Sequence, residues 1–184
     1  MPPLPAFPYS APKWLQIASD EEKTGVQEKS GRADNNPRIL TYLKSFTYLS
    51  ELDDKIKVKD ATGKKVDQKT GYKMSEVDET AWCACFVNWC LVQAGEKKAG
   101  EAKVQNAGAK SWQAYGKGGD SMTGNICVIQ REPFGDSGSG WHVGFFLAGD
   151  PKAGYVALLG GNQGNRVCRR WFVGLIAQFQ RWPG

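Results

Sequence analysis

The apolar positions in the first two thirds of the chain recur at helical spacing. An apolar stretch of twelve residues ends at Gly95, and glycine is the residue that most often stops a helix. A proline near a helix start and an Asn-Pro pair mark two further beginnings, with Ser10 as the expected cap of the first helix. Four helices are therefore predicted, beginning near Pro12, at Asn36-Pro37, near Cys83 and near Ala109.

The pattern changes to short apolar runs after about residue 126. These runs predict about five strands, at residues 126–129, 142–147, 155–159, 167–172 and 175–179. Asp150-Pro151 marks a turn between two of them. Helices followed by an antiparallel meander indicate an α+β domain over residues 12–184, after a proline-rich extended tail at residues 1–11.

The segment at about 46–76 differs from the rest because lysines alternate with valine and isoleucine. It predicts an exposed, charged hairpin or loop inserted into the domain. A solvated decoration is the preferred interpretation of this segment.

Composition supports one folded domain and limits the functional classes. Of the 184 residues 41% are hydrophobic, with seven Trp and eight Phe, which argues against global disorder. The apolar runs are too short for a membrane-spanning helix, and the N-terminus does not resemble a signal peptide. The net charge of +5 comes from interleaved signs, unlike the one-sided patch of a nucleic-acid protein, and would also suit an anionic polymer such as a bacterial wall.

The candidate chemistry centres on a cysteine at a helix start and on the only histidine. Cys83 opens the third helix, where the positive end of the helix dipole favours a thiolate, and His142 opens a strand. Helical spacing places Cys83 on the apolar face expected to meet the sheet, while Cys85 points about 200° away. Cys83 is therefore the predicted nucleophile, His142 its base and Cys85 a structural thiol. The structural alternatives are a buried thiol and a hydrogen-bonded strand histidine.

Other site positions are less firmly indicated. Asn162, which ends the strand expected to pair with the histidine strand, is the preferred residue to orient the base, with Gln163 and Asp150 as alternatives. The backbone N–H of Cys83 is the expected oxyanion donor. Three aromatic residues are candidates for a substrate groove: Trp82, Trp112 and Trp141.

The remaining thiols allow two alternatives. Cys127 and Cys168 lie on separate predicted strands and could be neighbours able to form a disulfide, although two buried free thiols are preferred. The helix cysteines with His142 could supply zinc ligands, but their spacing does not match the usual knuckles. No metal and no cofactor are expected.

Three motifs together resemble the CHAP-like peptidases, the cysteine/histidine-dependent amidohydrolases of bacteria and phages. They are WCACFVNW at residues 82–89, HVGF at 142–145 and LGGNQG at 159–164. NPRI at 36–39 and RWP at 181–183 are similar to a subfamily found in phages and secreted effectors. The resemblance implies a papain-like fold with Cys83 as nucleophile, His142 as base and Asn162 as third polar residue. Cys85 stands where the family often has a small residue.

The expected function is hydrolysis of an amide bond in peptidoglycan through a thioester, by a monomeric cysteine amidase or endopeptidase. The alternatives are a non-catalytic module that binds the cell wall and, less favoured, a zinc or redox protein. The resemblance and the missing leader suggest synthesis in the cytoplasm and delivery by a phage or a type VI-like secretion apparatus. The protein would then act as a toxin in the periplasm or cell wall of a target bacterium, with an immunity protein in the producer.

Overall fold

A computed structural model describes residues 3–7, 10–31, 33–97, 106–131 and 139–183. Its α-helices are α1 (Lys13–Lys23), α2 (Pro37–Leu43) and α3 (Cys83–Ala94), and short 3-10 helices lie at Thr47–Ser50, Met74–Glu76 and Ala109–Ala114. Its strands are β1 (Asp53–Lys59), β2 (Lys65–Lys73), β3 (Lys117–Gly118), β4 (Ile126–Gln130), β5 (Trp141–Asp150), β6 (Tyr155–Gly160), β7 (Cys168–Val173) and β8 (Ala177–Trp182).

The α+β prediction is confirmed, and the sheets are antiparallel. The main sheet has six strands in the order β3-β8-β4-β5-β6-β7, one more than predicted, because β3 is too short to show an alternating pattern. The last strand begins at Ala177 and not at residue 175. Leu175 and Ile176 lie instead in the connection between β7 and β8. Their backbone N–H groups donate to the carbonyls of Gly154 and Gln130.

The helix ends follow local chemistry in two of the three α-helices. The Asn36 side chain accepts from the backbone N–H of Arg38 at 2.9 Å and caps α2, and Pro37 follows it. Gly95 ends α3 in the left-handed conformation, with φ at 82°. The expected cap of α1 is wrong, because Pro12 occupies the cap position and no side chain caps that helix.

The main sheet buries residues on both sides. On the helix side, which packs against α1 and α3, lie Val128, Val143, Phe145 and Leu159. On the far side, residues of alternate parity form a second cluster: Cys127, Ile129, Phe146, Leu158 and Phe172. Both sides therefore contribute to the core, and the opposite sides of β5 face different surroundings.

The charged hairpin is present and smaller than the predicted insertion. β1 and β2 form their own two-stranded sheet, separate from the main sheet. Phe46 and Leu49, inside the expected range 46–76, are buried in the main core. The separate hairpin thus covers only residues 53–73 of the predicted segment.

The N-terminal segment contacts the domain. Phe7 packs against the core, and the carbonyl of Pro5 accepts from the Arg169 guanidinium at 3.3 Å. None of the helices in the described ranges is long and apolar enough to cross a membrane.

Candidate active site

Cys83 is the first residue of α3 and lies against β5. Its side chain is buried, with 7% of the residue exposed. Burial has the largest effect and raises the pKa of the Cys83 thiol, while the backbone N–H groups of Val143, Ala84 and Cys83 itself act in the opposite direction. The resting form is therefore a neutral thiol. Its sulfur lies at the backbone N–H of Val143, the residue that follows His142 in β5.

His142 projects from β5 on the far side of the sheet. It is paired with Ile129 of the far-side cluster, and its ring stacks on Phe172 with centroids 5.2 Å apart. Burial lowers the pKa of His142 to about 4, the nearby Arg131 and Arg170 charges act in the same direction, and the hydrogen bond to Gln163 opposes them. The imidazole is consequently neutral near pH 7, which is the form able to accept a proton.

The Gln163 side chain fixes the imidazole tautomer. Its amide nitrogen donates to the carbonyl of Leu158 at 3.3 Å and to the carbonyl of Cys168, so its Oε1 must face the other way. That oxygen lies 3.1 Å from Nε2 of His142 and can only accept. Nε2 is thus protonated in the neutral ring, and Nδ1, the nitrogen nearer the strand backbone, is left as the acceptor.

The thiol and the imidazole lie on opposite sides of β5. Pairing of β5 with β6 runs from Phe145 to Asp150, and the Cys83 sulfur lies before this stretch, at the amide of Val143. The imidazole stands one residue earlier on the far side. No hydrogen bond between Cys83 and His142 is present among the described residues, and the sheet separates the two side chains, so the structure does not bring the expected nucleophile and base into contact.

The loop after β6 brings Gln163, and not Asn162, to the histidine. Asn162 adopts a left-handed conformation with φ at 56° and makes no described contact with the ring. Gln163 is buried, with 3% exposed. Asp150 caps its own turn, accepting from the backbone N–H groups of Lys152 and Ala153 at 2.9 and 3.2 Å.

The glycine pair before Asn162 has a packing reason. A Cβ at Gly161 would lie 2.4 Å from the Trp82 ring and 2.6 Å from the Cβ of Phe86. Only glycine lets this loop approach the start of α3 so closely. The pair therefore brings the loop that carries Gln163 next to the helix that carries Cys83.

Two of the three tryptophans predicted to line a groove belong to the core. Trp82 and Trp112 are fully buried. Their indole N–H groups donate to Oε1 of Glu28 at 2.7 Å and to the carbonyl of Asn106 at 3.1 Å. Their assignment to substrate binding is wrong, because a buried ring has no face left for a ligand. Trp141 is partly exposed, with Nζ of Lys110 5.4 Å from its ring centroid.

The other cysteines take structural positions. All five cysteines are free, and Cys85 and Cys90 are fully buried within α3. Two strands separate Cys127 on β4 from Cys168 on β7, so they are not neighbours in the sheet. Within the described part of the chain, no group of three or more His, Cys, Asp or Glu side chains could hold a metal ion.

The arrangement offers a neutral thiol at a helix N-terminus and a neutral imidazole with one nitrogen available. Such a pair can act as a nucleophile assisted by a general base when the two groups come into contact. Gln163 contacts the imidazole in place of Asn162. The sequence offered it only as one of the alternatives for the residue that orients the base. Comparison with protein-family models, with curated proteins and with solved structures finds no match for this chain.

Proposed function

We propose that the protein is a papain-like cysteine amidohydrolase that cleaves an amide bond of bacterial peptidoglycan. One observation carries the catalytic part of the proposal. The thiol of Cys83 lies at a helix start at the backbone N–H of Val143, and Gln163 holds the imidazole of the preceding residue, His142, with Nδ1 free. A nucleophile, its base and a group orienting the base thus come from three separate elements.

The reaction begins from neutral groups. Because the two side chains lie on opposite sides of β5, the proposed reaction requires the start of β5 to turn on substrate binding, so that Nδ1 of His142 reaches the Cys83 sulfur. Nδ1 accepts the thiol proton while the sulfur bonds to the carbonyl carbon, and the backbone N–H of Cys83 stabilises the oxyanion. The imidazolium returns the proton to the leaving amine as the C–N bond breaks, which gives a thioester.

The second half of the reaction uses the same base. Nδ1 of His142 takes a proton from water, whose oxygen attacks the thioester carbonyl carbon. The C–S bond breaks, the proton passes to the Cys83 sulfur, and a carboxylic acid leaves. Gln163 keeps Nε2 protonated throughout, so that each step uses the same nitrogen.

Peptidoglycan as substrate rests on the resemblance to the CHAP-like peptidases and fits the net charge of +5. Both a bond within the stem peptide and the bond between the glycan and the stem are candidates. Mass spectrometry of purified muropeptides, incubated with the protein, tests hydrolysis and identifies the bond in one measurement.

Matched variants test the nucleophile. Cys83→Ser should abolish cleavage while the circular dichroism spectrum stays unchanged, whereas Cys85→Ser, two residues on in the same helix, should retain most activity. Cleavage by Cys83→Ser, or equal losses in both variants, would refute the assignment of Cys83.

We propose further that the protein is delivered as an antibacterial toxin by a phage or a type VI-like apparatus and that an immunity protein covers its site. Export to the periplasm of a Gram-negative host should then cause lysis, while expression in the cytoplasm should be harmless. The exported Cys83→Ser variant is the control. Equal toxicity from both compartments would show that the target is not the wall.

A further inference from the structure

One face of the hairpin formed by β1 and β2 carries mainly lysines. Alternate residues of a strand project to opposite faces of a sheet, so the lysines at every second position of β1 lie on one face. Residues of β2 complete this face, since they form ion pairs across the hairpin, and Nζ of Lys73 lies 2.7 Å from the carboxylate of Asp53. We call it the lysine face, and its members are Lys55, Lys57, Lys59, Lys65, Lys69 and Lys73 with Asp53 and Asp67.

The lysine face is turned toward solvent, whereas the opposite face is largely turned inward. The side chains of Lys57 and Lys69 are 67% and 70% exposed. Ile56, Val58 and Val66 on the opposite face are partly buried. The six lysines and two aspartates leave the lysine face with an excess of four positive charges, in a chain whose net charge is +5. Charges that are interleaved along the sequence are therefore sorted by the fold onto one exposed surface.

The lysine face sets like charges directly opposite each other. The register pairs Lys55 with Lys69. It also pairs Lys59 with Lys65. Like charges in directly opposed positions destabilise a pair of strands. A charged side chain can protect an exposed strand from pairing with other chains, but this protection needs no second charge opposite the first. An anionic partner lying over the face would offset the repulsion.

The residue types of the lysine face indicate what kind of anion it would bind. Interfaces between proteins are enriched in arginine and aromatic residues and depleted in lysine, and single-stranded nucleic acids stack on aromatic side chains. The members of the lysine face include no arginine and no aromatic residue. A lysine carries a point charge on a flexible stem, so it can follow anionic groups whose positions vary. These properties favour a polymer with repeated, mobile anionic groups.

We propose that the lysine face holds the protein on intact peptidoglycan by pairing with carboxylates of stem peptides other than the one that is cut. This inference rests on the proposed function, which supplies the polymer. Each exposed ion pair is weak, but several pairs to one polymer add to the contact at the cleaved bond and raise the affinity for the whole network. The hairpin can make this additional contact because it forms a sheet of its own and supplies neither Cys83 nor His142.

The test measures how much Cys83→Ser protein sediments with intact sacculi of a Gram-negative bacterium, so that binding occurs without turnover. Adding Lys55→Glu and Lys59→Glu removes the excess charge of the lysine face and places opposite charges across the hairpin. The affinity for sacculi should fall about tenfold or more. The thermal midpoint should be unchanged or higher, because the new cross-strand pairs attract. Lys55→Gln with Lys59→Gln, which removes half as much charge, should give a smaller loss of affinity.

Lys13→Glu with Lys152→Glu is the matched control. Both lysines are exposed, and they lie on α1 and in the turn between β5 and β6, outside the hairpin. The control and the hairpin glutamate variant have the same net charge, +1 in place of +5. The affinity of the control for sacculi should stay within about twofold of the Cys83→Ser protein, because isolated surface charges contribute little.

A second probe tests the anionic group. Treatment of the same sacculi with a carbodiimide and ammonia converts their carboxylates to amides. The Cys83→Ser protein should bind amidated sacculi as weakly as the hairpin glutamate variant binds untreated sacculi. Equal binding to both kinds of sacculi, equal losses in the hairpin and control variants, no binding at all, or binding to a DNA fragment in place of sacculi overturns the proposal.

These outcomes are distinguishable from failure of the proposed function. Binding to sacculi that depends on the hairpin lysines, by a protein that hydrolyses no muropeptide, would leave the lysine face standing and reject the enzyme. Hydrolysis of muropeptides, with binding to sacculi that is indifferent to the hairpin lysines, would keep the enzyme and reject the lysine face.

Discussion

Protonation of His142 should cost the folded protein a measurable part of its stability. Burial of the imidazole lowers its pKa from 6.5 to about 4. The unfolded chain therefore binds a proton between these values while the folded protein does not, and the free energy of unfolding falls as the pH falls. The contribution of His142 is fully present above pH 6.5 and is lost as the pH drops to about 4.

The size of the effect follows from the two pKa values. At about 1.36 kcal/mol per pKa unit, the loss relative to neutral pH is about 1 kcal/mol at pH 6, about 2 at pH 5 and about 3 at pH 4. Carboxylates also titrate near pH 4, so wild-type protein must be compared with His142→Gln, whose side chain stays neutral.

Urea unfolding of both proteins at pH 4, 5, 6 and 7 measures this difference. We expect the stability difference between wild type and variant to shift by about 3 kcal/mol across the range, against wild type at low pH. NMR titration of the single histidine gives the folded-state pKa independently. A folded-state pKa near 6.5, or a stability difference independent of pH, would refute the argument from burial.

Three further predictions test the site and the fold. Iodoacetamide should label Cys83 in the native protein before the fully buried Cys85, and peptide mapping measures the order. Labelling of both at the same rate would contradict the deeper burial of Cys85. Gln163→Ala should lose about 1–3 kcal/mol of stability and most activity, whereas Asn162→Gly, which suits the left-handed backbone, should retain both; the reverse order would return the orienting role to Asn162. Replacing residues 55–71 with a short Gly-Ser linker should leave the thermal midpoint within a few degrees, because this hairpin forms a separate sheet; unfolding of the core would contradict that separation.

The site shows where sequence reasoning stops. Asn162 was expected to orient the imidazole, and Gln163 contacts it instead. The two residues are adjacent, and both carry side-chain amides in one glycine-rich loop. Spacing along the chain could not choose between them, because the choice depends on the left-handed turn at Asn162 that places Gln163 over the carbonyls of Leu158 and Cys168. The aromatic candidates failed for a related reason. A tryptophan has the same appearance in a sequence whether it lines a groove or, like Trp82, fills the space between a helix and a loop.

The sequence by itself determined the elements. Apolar spacing and Gly95 defined α3 with Cys83 at its start, and short apolar runs marked five of the six strands of the main sheet. These features depend on local backbone preference and on the period of burial, which are written along the chain. Only the tertiary structure decided which side of β5 carries His142, because Phe145 and Phe146 on its opposite sides are both buried and no alternation of polar and apolar residues distinguishes them. Strand order likewise separated Cys127 from Cys168, since pairing between distant segments is set by packing of the whole core.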